Sequence, residues 1–309
     1  MNAPPGDQKP VKIANAPCSW GGLEFGLSGQ AAGYAQVLDE IKETGYAGTE
    51  LGDWGFMPTD PKSLRSELDQ RGLQLVGAFV PIAFTRAAAV PDGEQRAIKT
   101  ARLMAEAVGT GPFIVLADDN GKDPVRTRHA GRVLPEHGLN QEQWKAYGER
   151  VNRVAEAVRH HVGLRTVFHH HCAGFVETPT EISNLLQHTD PALVGLCFDT
   201  GHYRFGGGTE PVKLLQEYRD RVWHVHFKDC SAEIHRRSRG AGWNYFESLR
   251  NGIFCELGRG DVPFAAVLDE LRQANYHGWI VVEQDVLPGM GAPKEHARLN
   301  REFLEGLGV

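Results

Sequence analysis

TVFHHHCAGFVET, residues 166–178, joins a β-branched and aromatic run to three consecutive histidines and a later glutamate. The apolar start predicts a buried strand. Because side chains alternate between the two faces of a strand, Val167, His169 and His171 are expected on one face and Phe168 and His170 on the other. Imidazoles are costly to bury without partners, so a strand that ends this way indicates a functional site at its carboxyl end.

The same kind of apolar run recurs along the chain, and an amphipathic helical stretch follows each one. We predict eight strands, at residues 12–17, 48–51, 74–79, 113–117, 165–171, 194–199, 222–228 and 279–283. Eight such units, with no Gly-x-Gly-x-x-Gly motif after the first strand, favour an α/β fold with a single-domain (β/α)8 TIM barrel at residues 11–309. A doubly wound open sheet is the structural alternative. Long connections after the fourth and seventh strands are candidate walls of a site.

Composition and charge limit the cellular location and the kind of ligand that we expect. The 309 residues are 41% hydrophobic, yet no apolar run reaches the ~20 residues of a membrane helix. The first ten residues, MNAPPGDQKP, lack the apolar stretch of a signal peptide and predict a disordered tail. Five scattered cysteines suit reduced thiols, so we expect a cytoplasmic protein. The net charge of −6 and dispersed basic residues predict a small polar substrate rather than nucleic acid or a membrane.

Alternation also orients the other strand ends. In the seventh predicted strand, His224, His226 and Lys228 point into the barrel, while Trp223, Val225 and Phe227 face the helices. The sixth and eighth strands send Asp199 and Glu283 inward in the same way. Four consecutive strands thus end in an inward group that can bind a metal, and the predicted ligands of a divalent ion are His171, Asp199, His226 and Glu283. Taken singly, each is also explained as a hydrogen-bonded core histidine or a helix-capping carboxylate.

These motifs carry a family resemblance over nearly the whole chain from Lys12. FHHHCAGFVET at 168–178, LCFDTGH at 196–202, HVHFKD at 224–229 and the final Glu283 resemble the xylose-isomerase-like TIM barrel superfamily of sugar phosphate isomerases and epimerases. The motifs, with FGGG at 205–208 and ANAPCSW at 14–20, look most like the inosose dehydratase group within it. The resemblance implies a divalent cofactor (Mn, Co, Mg or Zn), a polyol or sugar substrate and a possible homo-oligomer. The epimerases carry a glutamate where this chain has His171, which disfavours ketose 3-epimerase activity.

The resemblance implies proton abstraction next to a carbonyl through an enediolate. Lys228, Glu177 and His202 are the candidate catalytic residues, and we predict a lowered pKa for Lys228 because a neighbouring cation disfavours its charged form. Glu177 is alternatively the fourth metal ligand, His202 a helix cap, and Lys228 an ion-pair partner of Asp229 or Glu256. The candidate substrate-binding residues are Glu50, His169, Trp20 and Arg259.

The leading hypothesis is therefore a metal-dependent lyase or isomerase acting on a keto-polyol or keto-sugar, most like inosose dehydratase. A sugar (phosphate) isomerase or epimerase is the nearest alternative. A DNA-repair nuclease similar to endonuclease IV is a remote one, because the segment after the seventh strand offers no further Asp-x-His motif. A sugar-binding barrel without catalysis is a third. No nucleotide cofactor is expected, since the glycine-rich segment at 205–209 lacks the lysine of a phosphate-binding loop.

Overall fold

The computed structural model describes residues 11–21, 32–287 and 289–309, and its main sheet is a closed barrel of eight parallel strands. Around the barrel the order is β1, β10, β7, β6, β5, β4, β3, β2. The barrel strands are β1 (Lys12–Asn15), β2 (Gly48–Glu50), β3 (Gln74–Pro81), β4 (Phe113–Ala117), β5 (Arg165–His169), β6 (Val194–Asp199), β7 (Val222–Phe227) and β10 (Trp279–Val282). The predicted fold is confirmed. The predicted tail at residues 1–10 lies outside the described residues.

Helices follow the strands and surround the barrel. They are α1 (Tyr34–Glu43), α2 (Pro61–Arg71), α3 (Val90–Val108), α4 (Pro124–His129), α5 (Gln141–Val162), α6 (Pro179–His188), α7 (Thr200–Phe205), α8 (Pro211–Glu217), α9 (Ala232–Ala241), α10 (Tyr245–Arg250), α11 (Phe264–Gln273) and α12 (Pro293–Gly306). Local sequence sets their ends: Asn140 and Gln143 form a capping box at the start of α5, and Gly163 ends that helix with φ of 86°. Among the described residues, no helix is long and apolar enough to cross a membrane.

Two layers of apolar side chains hold the barrel together. The outer layer lies between strands and helices and includes Phe168, Val225 and Ile280, as alternation predicts. Inside the barrel, small clusters that include Val167 and Val281 fill the space below the strand ends. Polar side chains at the strand ends therefore sit on an apolar floor.

The predicted outward direction of Trp223 is wrong. The register between β6 and β7 shifts after Leu196, so that Leu196 pairs with Val222 and Cys197 pairs with His224. This irregularity removes Trp223 from simple alternation, and its ring packs against the interior cluster that contains Val167 and Cys197. The residues beyond it return to the expected pattern, with His224 and His226 inward.

Both long connections carry secondary structure at the carboxyl end of the barrel. The first contains α4, whose Arg126 donates to both carboxylate oxygens of Glu181 on α6, at 2.7 and 2.8 Å. The second contains α9, α10 and a two-stranded antiparallel sheet of β8 (Asp229–Cys230) and β9 (Phe254–Cys255). The ring of Phe254 lies 4.7 Å from that of His202, so this small sheet covers part of the barrel mouth.

Candidate functional site

Four buried side chains meet where β5, β6, β7 and β10 end. They are His169, Asp199, His226 and Glu283, and one potential ligand atom from each lies within 4.8 Å of the other three. His169 Nε2 is 3.4 Å from Asp199 Oδ2, and His226 Nδ1 is 3.2 Å from Glu283 Oε1. Below, these four residues are called the ligand cluster.

The ligand cluster contains His169 where the sequence predicted His171. The predicted fifth strand is two residues too long: β5 ends at His169, and the chain then turns so that the backbone N–H of His171 donates to the carbonyl oxygen of Val176. Ala173 adopts a φ of 67° within this turn. The inward direction of this face was therefore predicted correctly, but the position of the ligand along the barrel axis was not. His171 belongs to none of the candidate metal groups among the described residues.

His170, on the opposite face of the chain, supports the cluster indirectly. Its side chain is fully buried, and its Nε2 accepts the backbone N–H of Asp199 at 3.1 Å. Asp199 in turn accepts the backbone N–H of His202 through Oδ1 at 2.7 Å, which leaves Oδ2 for the cluster. The end of β6 is thus fixed from both sides.

The ligand cluster fits a divalent cation. His226 Nδ1 is buried and forms no hydrogen bond with the described residues, although a carboxylate oxygen of Glu283 lies 3.2 Å away. Two imidazoles and two carboxylates form a mixed donor set that suits borderline metals such as Mn, Co or Zn. Two overlapping groups, one with Cys197 and one with Glu50 and His224, also contain His226, so all three describe one region around that imidazole.

Glu50 has a different place from the predicted one. Rather than facing a substrate hydroxyl, its Oε1 accepts from His224 Nε2 at 2.8 Å and from His226 Nε2 at 3.0 Å, below the ligand cluster. Burial alone would raise the pKa of Glu50, but the charge of His226 and the hydrogen bonds from both imidazoles lower it to about 2. A carboxylate bound to Nε2 turns Nδ1 of His226 toward the cluster, as outer-sphere carboxylates do for metal-binding histidines.

A second group of ionisable side chains borders the ligand cluster. Lys228 Nζ lies 3.1 Å from Glu283 Oε2, 3.3 Å from Asp285 Oδ1 and 3.2 Å from His202 Nε2. Its side chain is 2% exposed. We call Lys228, His202 and Asp285 the acid–base wall.

The predicted lowering of the Lys228 pKa is wrong. Burial alone would lower it, but Asp285 and Glu283 outweigh burial and raise the pKa of Lys228 well above its ordinary value. The predicted alternative partners lie elsewhere: Asp229 accepts backbone N–H groups from Gly258 and Gly260, each at 2.8 Å, and Glu256 pairs with His296 Nδ1 at 2.9 Å. Asp285 and Glu283 therefore favour the ammonium form of Lys228.

Asp285 was missed in the sequence. Glu283 faces inward, so alternation carried two residues past the predicted strand end would have placed Asp285 inward as well. Gln284, between them, points the other way and accepts from Asn300 Nδ2 on α12 at 3.0 Å. This outward anchor keeps both carboxylates at the site.

One residue, Cys172, orients the imidazoles of His171 and His202. His171 Nδ1 donates to the carbonyl oxygen of Cys172 at 2.6 Å, and His202 Nδ1 accepts the backbone N–H of Cys172 at 3.3 Å. The two rings lie with centroids 3.8 Å apart and are tilted by 37° to each other. Nε2, the other ring nitrogen of His202, faces Lys228 Nζ, which as an ammonium can only donate.

Glu177 contacts backbone atoms rather than the ligand cluster, although it was predicted as a catalytic residue or the fourth metal ligand. Its Oε1 accepts the backbone N–H of Gly131 at 2.7 Å and its Oε2 that of Ala173 at 2.8 Å. Both oxygens therefore tie the connection after β4 to the turn after β5. Burial raises the pKa of Glu177 to about 7, against the lowering effects of Arg126 and the two N–H groups.

The structure gives Trp20 and Arg259 structural partners. Trp20 is buried in the outer apolar layer, and its Nε1 donates to Glu40 Oε2 on α1 at 2.6 Å. Arg259 lies 3.6 Å from Glu256, with 64% of its side chain exposed. Neither contact brings the side chain to the ligand cluster, so their predicted roles in substrate binding gain no support.

Replacing Glu50 tests its control over His226. The substitution Glu50→Gln removes the charge and one hydrogen-bond acceptor for the imidazoles, so we expect divalent metal affinity to fall by about 10–100-fold. Isothermal titration with Mn(II) measures this. The matched control is Glu270→Gln, a buried carboxylate on α11 that binds Arg219, which should leave the affinity unchanged. An unaltered affinity in Glu50→Gln would contradict the assignment.

Replacing Glu177 tests its structural role through pH. Its carboxyl titrates near 7 in the folded chain and near ~4.3 in the unfolded chain, so the folded state binds the extra proton between these values. The wild-type protein should therefore lose stability relative to Glu177→Gln as pH rises from about 4.5 to 7. Urea unfolding at several pH values measures the difference. A difference that does not change with pH, or a loss of metal binding in Glu177→Gln, would contradict this role.

Comparisons with known proteins agree with the architecture. The chain is 30% identical over 300 residues to inosose dehydratase from Geobacillus kaustophilus, which covers 96% of this chain and 95% of that protein. It is 33% identical over 303 residues to the rhizopine catabolism protein MocC of Rhizobium meliloti, covering 95% and 87%. The fold is similar to the crystal structure of the probable 3-DHS dehydratase AsbF from Bacillus anthracis, with a TM-score of 0.68, 14% identity and coverage of 96% and 99%.

The family model described as xylose isomerase-like TIM barrel matches residues 38–307, a span that contains all four members of the ligand cluster and the whole acid–base wall. The match covers most of the chain, and the closed parallel barrel agrees with it. The chain belongs to the xylose isomerase-like TIM barrel family.

Proposed function

We propose that the chain is a divalent-metal-dependent dehydratase that removes water from a keto-polyol, as the name inosose dehydratase states for several relatives. The observation that carries the proposal is the juxtaposition of the ligand cluster with the acid–base wall at the barrel mouth. Glu283 belongs to both: Oε1 faces His226, and Oε2 faces Lys228. The residues proposed to bind the cation and those proposed to transfer protons therefore meet at one side chain, that of Glu283.

The relatives support the substrate class. Identity of about 30% over nearly the full length joins this chain to proteins named inosose dehydratase from Geobacillus kaustophilus and other bacteria. Inosose is a cyclic polyol with one carbonyl group. A keto-polyol suits a site rich in hydrogen-bonding groups and a cation that its neighbouring oxygens can chelate.

When bound to the ligand cluster, a divalent cation supplies positive charge that favours an enediolate at the substrate's carbonyl carbon. Lys228 adds a second positive charge to the same region, and its burial strengthens that electrostatic effect. Because Lys228 is held as an ammonium, we assign it to stabilising negative charge and donating a proton rather than to abstracting one.

The reaction requires two bond cleavages. The C–H bond next to the carbonyl breaks and its proton passes to a basic group of the acid–base wall. The C–O bond of the neighbouring hydroxyl then breaks as that oxygen receives a proton, and one molecule of water leaves. Lys228 supplies this proton from its ammonium, whose Nζ lies 3.2 Å from His202 Nε2, and the proton held by the basic group then returns to the Lys228 amine.

Isomerisation or epimerisation is the second candidate, because these reactions share the enediolate. Epimerisation needs groups that act on opposite faces of one carbon. The acid–base wall comes from the ends of β6, β7 and β10, which are neighbours in the barrel, so its groups reach the substrate from one side. Elimination, in which one side of the site serves both steps, suits this arrangement better.

The nuclease alternative gains no support. The three candidate metal groups found among the described residues all share His226, which fits one ion site rather than the three-metal centre of endonuclease IV.

Proton NMR of the Mn(II)-loaded protein with scyllo-inosose in D2O tests the proposal. We expect loss of substrate signals and the appearance of a dehydrated diketone. The substitution Lys228→Met should lower the rate by at least about 100-fold, within the range for loss of a proton-transfer group. Deuterium incorporation without loss of water would instead establish the isomerase reaction. Turnover of Lys228→Met within a few-fold of wild type would contradict the role of Lys228.

A further inference from the structure

In the part of the chain that the structure describes, the side chain of Asp285 contacts Lys228. Its oxygens lie 3.3 and 3.5 Å from Lys228 Nζ, and its side chain is 6% exposed. Its ligand-cluster neighbour Glu283 divides its oxygens between His226 and Lys228. Asp285 is absent from the candidate metal groups formed by the described residues. Asp285 can therefore pair with Lys228 without also binding the proposed cation, whereas Glu283 contacts both regions.

The backbone on both sides of this contact is fixed. Thr200 Oγ1 accepts the backbone N–H of Lys228 at 3.1 Å and donates to its carbonyl oxygen at 2.7 Å. A Cβ on Gly201 would lie 2.6 Å from Cγ of Lys228, so the lysine stem passes where only glycine leaves room. On the other strand, Gln284 is anchored through its backbone N–H to Ser19 Oγ at 3.2 Å. These contacts hold the backbone next to Lys228 and Asp285 in place.

A cation in the ligand cluster changes the balance around Lys228. Glu283 would then share its charge with the ion, which weakens its hold on the ammonium. Asp285, outside the cluster, keeps its full charge for Lys228. The ammonium would otherwise be repelled by the cation and drawn away from the substrate position.

We infer that Asp285 is a positioning residue, which holds the Lys228 ammonium between His202 and the ligand cluster. This inference rests on the proposed function and adds a residue that the ligand cluster does not require. A carboxylate at this point determines where the ammonium stands rather than how the cation binds. Its removal should therefore impair turnover far more than metal binding.

The substitution Asp285→Asn keeps the shape and removes the charge. We expect kcat to fall by about 10–100-fold, the size of a lost charge-assisted hydrogen bond, while KM and Mn(II) affinity stay within about 3-fold. Asp285→Glu, which restores the carboxylate one methylene farther out, should recover part of the loss. Glu270→Gln removes a buried carboxylate paired with Arg219 on α11 and should leave kcat unchanged. A fall in Mn(II) affinity equal to that in kcat would overturn the inference.

A double-mutant cycle with Lys228→Met tests whether Asp285 acts through Lys228 without relying on activity. In the wild-type background, Asp285→Asn should lower Tm because it removes a partner of the buried ammonium. In the Lys228→Met background it should raise Tm, because it removes a buried carboxylate that has lost its cation. The same Tm change in both backgrounds would overturn the inference.

The two hypotheses fail in distinguishable ways. The change in Tm caused by Asp285→Asn is expected to have opposite signs in the two backgrounds. If it does but the wild-type protein converts no keto-polyol, Asp285 positions Lys228 and the proposed function is wrong. If the enzyme is active and the kcat losses of Asp285→Asn and Lys228→Met multiply in the double variant, the proposed function stands and the positioning inference is wrong. Should Lys228→Met fail to fold, Lys228→Gln replaces it in the cycle, because glutamine removes the charge and keeps a polar side chain.

Discussion

Burial of opposite charges at the mouth of the barrel is the constraint on which the rest of the structure depends. Asp199, Glu283 and Asp285 are all at most 9% exposed, and isolated carboxylates cannot be buried to this degree without a large loss of free energy. Imidazoles and one ammonium compensate them. The arrangement is stable only while every partner stays in place, which explains why so many residues outside the site serve to hold backbone atoms there.

The fold provides this compensation in a regular way. Parallel strands bring all their carboxyl ends to one face, and alternation sends every second side chain to the axis. Apolar residues fill the axis below, so water is excluded from beneath the polar layer. Glu50 then connects the polar layer to the floor by holding His224 and His226 through a single oxygen. A divalent cation would complete the layer by meeting the buried Nδ1 of His226. The proposed chemistry uses the positive charges of this polar layer, because positive charge stabilises an enediolate best in a place that water does not reach.

Much of this could be predicted from sequence, because it depends on periodicity. The barrel follows from the eight repeated strand–helix units, and the inward direction of Asp199, His226 and Glu283 follows from alternation. The failures have a common physical origin in contacts between distant segments. His171 was assigned as a ligand because nothing local shows that β5 stops at His169, where the turn through Ala173 begins. Glu177 was assigned to catalysis because its two backbone partners, on Gly131 and Ala173, are invisible in a linear pattern. The pKa of Lys228 was predicted with the wrong sign because His226 is its neighbour in sequence, whereas the carboxylates that raise its pKa come from the segment after β10.

The cation site at the four strand ends can be tested by pulsed electron paramagnetic resonance of the Mn(II)-loaded protein. The modulation of the electron spin echo by imidazole nitrogen counts the histidines bound to the metal. Wild-type protein should show two directly bound imidazole nitrogens, from His169 and His226. His169→Ala should lose one of them, and His171→Ala should keep both. Loss of a nitrogen signal in His171→Ala but not in His169→Ala would contradict the site described for this barrel.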